Sequence, residues 1–210
     1  MKKYVYRKFK AILPALIFLV AYLVSFSLLE NWQHSYYLVT SNVLDYMIPF
    51  LPIFIIPYLF WFIYMFGGFA YLLLFDERRL KHAYFYLFIG MTVCLILYAI
   101  FPTVQNLRVD LDTTKFFQRL ISFIYSKDTC TNVCPSIHVY NSCMMCYVLN
   151  QTKFFKNYTA HRWLNYIICI SICLSTMFVK QHAWLDVVFG LLLAWIVFFV
   201  GRYILRIESM

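Results

Sequence analysis

Charged side chains are scarce in this chain. Asp, Glu, Lys and Arg make up 13% of its 210 residues, whereas an ordinary soluble domain carries about 25%. Hydrophobic residues account for 63% of the chain, and its mean hydropathy is +0.72. A soluble core of this length could not bury so much apolar surface. The composition therefore excludes an ordinary soluble protein and predicts that lipid covers part of the chain.

Acidic residues are scarcer than basic ones, with 9 Asp and Glu against 18 Lys and Arg and a net charge of +9. In a soluble protein this excess would suggest nucleic acid as a partner. Here the basic residues crowd the ends of apolar runs, which is the pattern that orients membrane proteins. We therefore expect membrane lipids with anionic head groups, and no nucleic acid, as partners. The oligomeric state is left open by the sequence.

Several sequence signatures are missing. The first apolar run ends in Ser27-Leu28-Leu29-Glu30, without the small residues of a signal-peptide cleavage site, so we expect a retained first span. Cys143 and Cys146 form a CxxC pair with no second pair or His at zinc spacing, and we expect no metal site and no cofactor. The sequence does not decide whether Cys130 and Cys134 form a disulfide. We find no repeat or linker and expect a single membrane-embedded domain over 1–210.

The long apolar runs predict an all-α fold, a polytopic bundle of six transmembrane helices. A spanning helix needs about 20 mostly apolar residues. The fourth run is short and contains Ser and Asn, which is tolerated in a helix buried among other helices. The predicted spans cover about 11–29, 54–75, 83–101, 135–150, 163–180 and 183–203.

The distribution of Lys and Arg predicts the orientation of this bundle. If both termini are cytoplasmic, thirteen basic residues lie on the inner side and five on the outer side. This bias agrees with the tendency of cytoplasmic loops to be positively charged. We expect a multi-pass protein of the cell membrane whose loops 30–53 and 102–134 face outward.

Residues typical of catalysis collect on the predicted outer side. His182 and Asp186 are four residues apart and share one face if the sixth helix begins near His182. A carboxylate there can accept the imidazole Nδ1–H and leave Nε2 free as a nucleophile. Taken alone, such a pair is more often a structural hydrogen bond that holds two helices together.

A second group opens the fourth helix. Pro135 is predicted in its first turn, so the N–H groups of Ser136, Ile137 and His138 are expected to be free for an anion. His138 can also supply a proton. Taken alone, this group could be a capped helix with an interfacial histidine.

Two cations complete the predicted site. Arg108 follows the third helix and Lys180 precedes His182, although a loop arginine is usually solvated and a lysine can extend to the interface. Together these residues predict a phosphate site in which cations and N–H groups hold the phosphate. One histidine attacks phosphorus, and the other protonates the leaving oxygen.

Over about residues 100–190 the chain resembles the type 2 phosphatidic acid phosphatase superfamily, integral membrane lipid phosphatases related to vanadium haloperoxidases. Pro135-Ser136-Ile137-His138 is similar to the second motif of that family, and Ser175-Thr176 followed by His182-x-x-x-Asp186 is similar to the third. The resemblance implies a metal-independent enzyme with a phosphohistidine intermediate. It assigns His182 as the nucleophile, Asp186 as its orienting carboxylate, His138 as the general acid, and Ser136 and Arg108 as phosphate ligands.

The chain departs from the family pattern at four positions. Phe101 stands where the family has Lys, Val109 where it has Pro, Ile137 where it has Gly, and Thr176 where it has Arg. Lys180 could replace the missing positive charge. The motif without Gly is similar to a divergent branch that includes lipid phosphotransferases.

The leading interpretation is a phosphatase that hydrolyses a phosphomonoester or pyrophosphate of a lipid. The alternatives are a phosphotransferase of the inositol phosphorylceramide or sphingomyelin synthase kind, a transporter or binding protein that uses His182, Asp186 and His138 for protons or a metal, and an inactive scaffold.

Overall fold

The protein is a bundle of long helices. The computed structural model describes the backbone of residues 2–207 and the side chains of residues 2–204. Six long helices occupy the places of the six predicted ones, so the all-α class is confirmed. They are α1 (Lys2–Asn31), α3 (Ile55–Phe75), α4 (Glu77–Ile100), α6 (Ile137–Asn150), α8 (Thr159–Phe178) and α9 (Trp184–Ile207).

Shorter elements connect these helices. They are the strands β1 (Leu38–Val39) and β2 (Thr103–Val104), the helices α2 (Val43–Met47), α5 (Phe116–Lys127) and α7 (Lys153–Asn157), and a 3-10 turn at Pro52–Phe54.

Four of the long helices are long and apolar enough to cross a membrane. They are α1, α3 together with the 3-10 turn before it, α4, and α9 through Ile204. The helices α6 and α8 do not belong to this group. The number of six spans therefore stays a prediction.

Helix α6, the shortest of these six, lies at the centre of the bundle, where it packs against α3, α4, α8 and α9. Ten of its 14 residues are buried. Because other helices surround it, α6 does not need an apolar face toward lipid, and its polar residues can find partners inside the protein. This position explains its low hydropathy.

A buried polar network joins α6 to two neighbours. The Asn165 amide on α8 donates to Asn150 Oδ1 at 3.0 Å and to the Cys146 carbonyl at 3.2 Å, both on α6. Tyr64 on α3 donates to Asn165 Oδ1 at 2.8 Å. Hydrogen bonds between helices in membrane proteins contribute about 0.6 kcal/mol each on average. These bonds fix how the three helices fit together.

The connecting segments after α1, α4 and α8 meet at one end of the bundle. Strand β1 pairs in parallel with β2, with Leu38 opposite Thr103. The Asp45 carboxylate of α2 accepts a hydrogen bond of 2.7 Å from the Trp184 N–H, which opens α9. The segments that were predicted on one side of the membrane thus lie together, which the proposed site requires.

Helix α5 covers this end of the bundle. Its buried Ile121 packs in a cluster with Ile55, Tyr58 and Val179. The Tyr125 hydroxyl donates to the Val179 carbonyl at 2.7 Å. These contacts hold α5 against the start of α3 and the end of α8, beside the predicted site residues.

Candidate active site

His182 and Asp186 come together where α9 begins. Both are buried, with 8% and 0% of their surface exposed. His182 Nδ1 lies 3.4 Å from Asp186 Oδ2, and the same oxygen accepts a hydrogen bond of 2.8 Å from the Ala183 N–H. A movement of about 0.4 Å would bring the ring to ordinary hydrogen-bonding distance. Asp186 also lies in the first turn of α9, where the positive end of the helix dipole favours a carboxylate.

His138 faces His182 from the first turn of α6. The two ring centroids are 5.6 Å apart in an edge-to-face arrangement. On its other sides the His138 ring contacts Tyr58 at 4.9 Å and Trp61 at 4.5 Å, both on α3. The structure therefore brings together the two imidazoles that the sequence separates by more than forty residues, and it encloses one of them in aromatic rings.

The start of α6 differs from the sequence expectation. The helix begins at Ile137, with Ser136 as the residue that caps it and Pro135 outside, after a cis peptide bond. The Ser136 N–H donates to the Asp186 carbonyl at 2.9 Å, and Ser136 Oγ accepts from the Val139 N–H at 3.4 Å. The expectation of Pro135 in the first turn and a free Ser136 N–H is therefore wrong. The first N–H groups inside the helix are those of Ile137 and His138.

Gly190 on α9 allows this close contact between α6 and α9. A Cβ at Gly190 would lie 2.9 Å from the Ser136 carbonyl oxygen and 3.1 Å from the Val139 Cβ. Only a residue without a side chain lets the two helices approach so closely. The separation of the two imidazoles depends on this approach.

The turn between α8 and α9 is fixed by local hydrogen bonds. The N–H groups of Gln181 and His182 both donate to the Thr176 carbonyl, at 2.9 and 3.0 Å, and the Lys180 N–H donates to the Met177 carbonyl at 3.0 Å. This pattern ends many helices, usually with glycine in the left-handed position. Here Lys180 occupies it with φ 57°, a conformation that costs a non-glycine residue roughly 1–2 kcal/mol.

The Lys180 side chain extends toward α2. Its ammonium donates to the carbonyls of Asp45 at 2.7 Å and Ile48 at 2.6 Å. These bonds engage two of its three N–H groups and hold the strained turn in place. The role of Lys180 in binding phosphate stays a prediction.

Arg108 lies beside the residue that precedes His182. Its guanidinium donates to the Tyr125 carbonyl at 2.9 Å and to the carbonyls of Asp128 and Thr129 at 2.6 and 2.8 Å. It also donates to Gln181 Oε1 at 3.3 Å. The end of α5 and the loop after it therefore hold this cation beside the turn that carries His182.

Three buried N–H donors around the histidines have no hydrogen-bond partner among the described residues. They are Trp61 Nε1, Arg108 Nε and Gln181 Nε2. Trp61 contacts His138, and Gln181 adjoins His182. Leaving a buried donor unpaired costs about 1–3 kcal/mol. Because Trp61 packs on His138 and Gln181 precedes His182, an oxyanion bound between the two histidines would be a suitable acceptor for these donors.

Sequence reasoning missed Gln181, Trp61 and Tyr58. The signal for Gln181 was a polar residue beside His182 within the turn between two apolar runs. The two aromatic residues gave no signal, because Trp and Tyr are common at the ends of membrane helices.

Asp128 adds a second carboxyl group near the site. It is half-buried at the end of α5, and its backbone carbonyl accepts from Arg108. Burial raises the pKa of the Asp128 carboxyl, while the nearby His182 and Arg108 oppose this effect.

One protein-family model matches the part of the chain that contains the site. Residues 112–208 match the model of a family described as the PAP2 superfamily. The matched range contains His138, His182 and Asp186. In the same comparisons, no curated protein and no solved structure matches the chain.

Proposed function

We propose that this protein is a membrane phosphatase for a lipid substrate, because residues 112–208 match the model of the PAP2 superfamily, whose members are generally phosphatases. It hydrolyses a phosphomonoester or pyrophosphate of the lipid through a phosphohistidine. The observation that carries this proposal is the pair of facing imidazoles, 5.6 Å apart, with a carboxylate behind one of them and unpaired donors beside both.

In the first step, His182 Nε2 attacks phosphorus. A P–N bond forms, and the P–O bond to the leaving group breaks, which is the lipid alkoxide for a phosphomonoester and the lipid phosphate for a pyrophosphate. Protonated His138 donates its proton to the leaving oxygen. Asp186 stabilises the positive charge that develops on the His182 ring, because its Oδ2 lies 3.4 Å from Nδ1.

In the second step, water attacks phosphorus and the P–N bond breaks. His138, now neutral, accepts the proton of the attacking water. Inorganic phosphate leaves, and His182 returns to its starting form. The same pair of rings therefore serves both steps with exchanged roles for His138.

Fixed donors hold the phosphate without a metal ion. Trp61 Nε1, Arg108 Nε and Gln181 Nε2 are buried and unpaired, so they can bind phosphate oxygens with little reorganisation. The N–H groups of Ile137 and His138 lie at the positive end of α6. We also retain Ser136 and Lys180 as phosphate ligands, Ser136 through its hydroxyl hydrogen and Lys180 through the third N–H group of its ammonium, because both residues are neighbours of the histidines in the sequence.

The surroundings of the site suit a lipid. Tyr58 and Trp61 project from α3, one of the helices apolar enough to cross a membrane. An acyl or polyprenyl chain can therefore stay beside the apolar helices while its phosphate reaches the histidines. On this proposal both termini are cytoplasmic and the site faces outward. Reagents that do not cross the membrane should then label Cys130 but not a cysteine introduced at Lys153 in intact cells.

The decisive experiment measures phosphate release by the purified protein in detergent with a chelator present. Phosphatidic acid, phosphatidylglycerol phosphate and a polyprenyl pyrophosphate are the substrates. The His182→Ala variant should be inactive. His161→Ala is the matched control, because His161 is exposed near the start of α8, and it should keep full activity. Rapid quenching should trap an acid-labile, base-stable phosphoenzyme in the control only. Equal activity of both variants would refute the proposal.

Transfer to an acceptor alcohol is the second candidate, and the burial of His182 favours it. Only 8% of this residue is exposed, so water has limited access to a phosphohistidine there. A transferase would form a new phosphoester when alcohols are added and would release little free phosphate without them. Product analysis with and without diacylglycerol separates transfer from hydrolysis.

A metal-binding transporter is less well supported by the geometry. Among the side chains described, the groups that gather three ligand atoms within 4.8 Å of one another do not include His138, His182 and Asp186.

A further inference from the structure

Four cysteines from two helices converge away from the candidate active site. Helix α6 contributes Cys143 and Cys146, and α8 contributes Cys169 and Cys173. The Sγ atoms of Cys143, Cys169 and Cys173 all lie within 4.8 Å of one another. Cys146 is in side-chain contact with Cys169. All seven cysteines of the chain are free thiols.

The sequence conceals this group because the two pairs belong to different helices. Residues three or four positions apart share a helix face, so each pair presents two thiols to the neighbouring helix. The CxxC pair alone lacked the partners of a metal site. The packing of α6 on α8 supplies them.

Three thiols in this arrangement match the chemistry of a soft metal ion. A zinc–thiolate bond is about 2.3 Å long, so sulfurs around one ion lie roughly 4 Å apart, close to the spread observed here. Thiolates select Cu⁺ and Zn²⁺ over harder cations. We propose that Cys143, Cys169 and Cys173 form a thiolate site for a soft d¹⁰ cation, with Cys146 available as a fourth ligand.

The surroundings of the group support bound thiolates. The Asn150 amide donates to Cys146 Sγ at 3.6 Å, and Asn150 in turn accepts from Asn165. Such hydrogen bonds orient ligands and stabilise negative charge on sulfur. Binding of Zn²⁺ by three thiolates releases three protons and leaves one net negative charge, whereas Cu⁺ with the same ligands leaves two. The apolar interior therefore favours Zn²⁺ with three thiolates, or Cu⁺ with fewer of them.

The ion would join α6, which carries His138, to α8, which leads into the turn that carries His182. Cys143 follows His138 on α6, and Cys173 precedes the turn that leads to His182. A bond between α6 and α8 at this level would restrict changes in the separation of the two rings. Cys143 and Cys173 are half-buried, which leaves the site a route of entry.

The test uses the purified full-length protein in detergent, with thiols reduced by a phosphine and metals removed. Cd²⁺, as a spectroscopic substitute for Zn²⁺, and Cu⁺ are titrated in separate arms. The readouts are the ultraviolet thiolate-to-metal charge-transfer band and the number of ions per chain. We expect one ion per chain. The arm with the higher affinity identifies the class of ion.

Cys169→Ala and Cys94→Ala are the matched variants, because both residues are buried and Cys94 lies on α4 outside the group. Loss of a residue that only orients a ligand typically weakens metal binding about 10–100-fold. Cys169→Ala should therefore weaken binding by at least about 100-fold, and Cys94→Ala should leave it unchanged. If Cys169→Ala does not fold, Cys143→Ser and Cys173→Ser, at half-buried positions, serve in its place.

Three results would overturn the proposal. They are the absence of a charge-transfer band in the reduced wild-type protein, equal affinities of the Cys169→Ala and Cys94→Ala variants, and a band that survives in both Cys143→Ser and Cys173→Ser. The readout does not use phosphate release, so it is independent of the proposed catalytic activity.

Discussion

The substitution Gln181→Met tests separately how one candidate phosphate donor affects the stability of the protein and how it affects turnover. Gln181 is 2% exposed, and its Nε2 has no partner among the described residues, while its Oε1 accepts one bond of 3.3 Å from Arg108. Methionine has a similar volume and no polar group. The substitution therefore removes an unpaired buried donor together with a single long hydrogen bond.

The two consequences have opposite signs. Removing the unpaired donor should stabilise the fold by about 1–3 kcal/mol, and losing the bond to Arg108 should cost about 1 kcal/mol. We expect the free energy of unfolding to stay constant or to rise by up to about 2 kcal/mol. If Gln181 binds a phosphate oxygen in the transition state, turnover should fall about 10²–10³-fold, the usual effect of losing one such donor.

Gln105 provides the matched control. It is 0% exposed, and both ends of its amide are paired, because Nε2 donates to the Lys180 carbonyl at 3.1 Å and Oε1 accepts from the Leu107 N–H at 2.6 Å. Gln105→Met leaves the Lys180 carbonyl and the Leu107 N–H without these hydrogen bonds, and each loss should destabilise the protein by about 1–3 kcal/mol.

The assay combines thermal unfolding in detergent with phosphate release from a lipid phosphate. The expected result is that Gln181→Met melts at or above the wild-type temperature with low activity, whereas Gln105→Met melts below it. The reasoning is refuted if Gln181→Met loses as much stability as Gln105→Met, or if it keeps wild-type turnover.

Three further changes test other parts of the site. His138→Ala should lower the turnover of lipid phosphates about 10²–10⁴-fold. The loss should be much smaller for an aryl phosphate, whose leaving group needs little protonation. Equal losses for both substrates in a steady-state assay would reject His138 as the general acid. Gly190→Ala should lower kcat, because its Cβ would lie 2.9 Å from the Ser136 carbonyl oxygen at the start of α6. The control Gly67→Ala, which has nothing within 4 Å of its Cβ, should match the wild type in the same assay. The Asp128 carboxyl loses its proton as the pH rises through its raised pKa, and the carboxylate then repels phosphate. Inhibition by inorganic phosphate should therefore weaken with rising pH in the wild type, and it should weaken less in Asp128→Asn. Parallel pH profiles of the two proteins would contradict this.

The apolar runs predicted where the long helices lie, but they did not predict the helix ends. Helix α4 was expected from about residue 83 and begins at Glu77, where the Asp76 side chain accepts from the Arg79 N–H at 3.1 Å. Hydropathy detects only the part of a helix that suits lipid, whereas a cap can start the helix earlier among charged residues. Helix α8 ends at Phe178 for a similar local reason, the left-handed Lys180.

The candidate site likewise contains one contact that the sequence predicted and one that it did not. The spacing of His182 and Asp186 predicted their contact, and the contact forms although α9 begins at Trp184 and His182 lies just before it. The partner of the Ser136 N–H was not predictable in this way, since the acceptor is the Asp186 carbonyl on another helix. A free N–H at the start of a helix is a local expectation, and a tertiary contact overrode it.

By itself, the sequence determined the helical class and the contact of His182 with Asp186, because each follows from composition or from spacing along one segment. Only the tertiary structure decided that α6 lies at the centre, that Trp61 packs on His138 while its indole N–H has no partner among the described residues, and that thiols of α6 and α8 form one group. These features depend on which helix faces pack together. That choice is made by the fit of side chains across the whole bundle, and no single segment contains it.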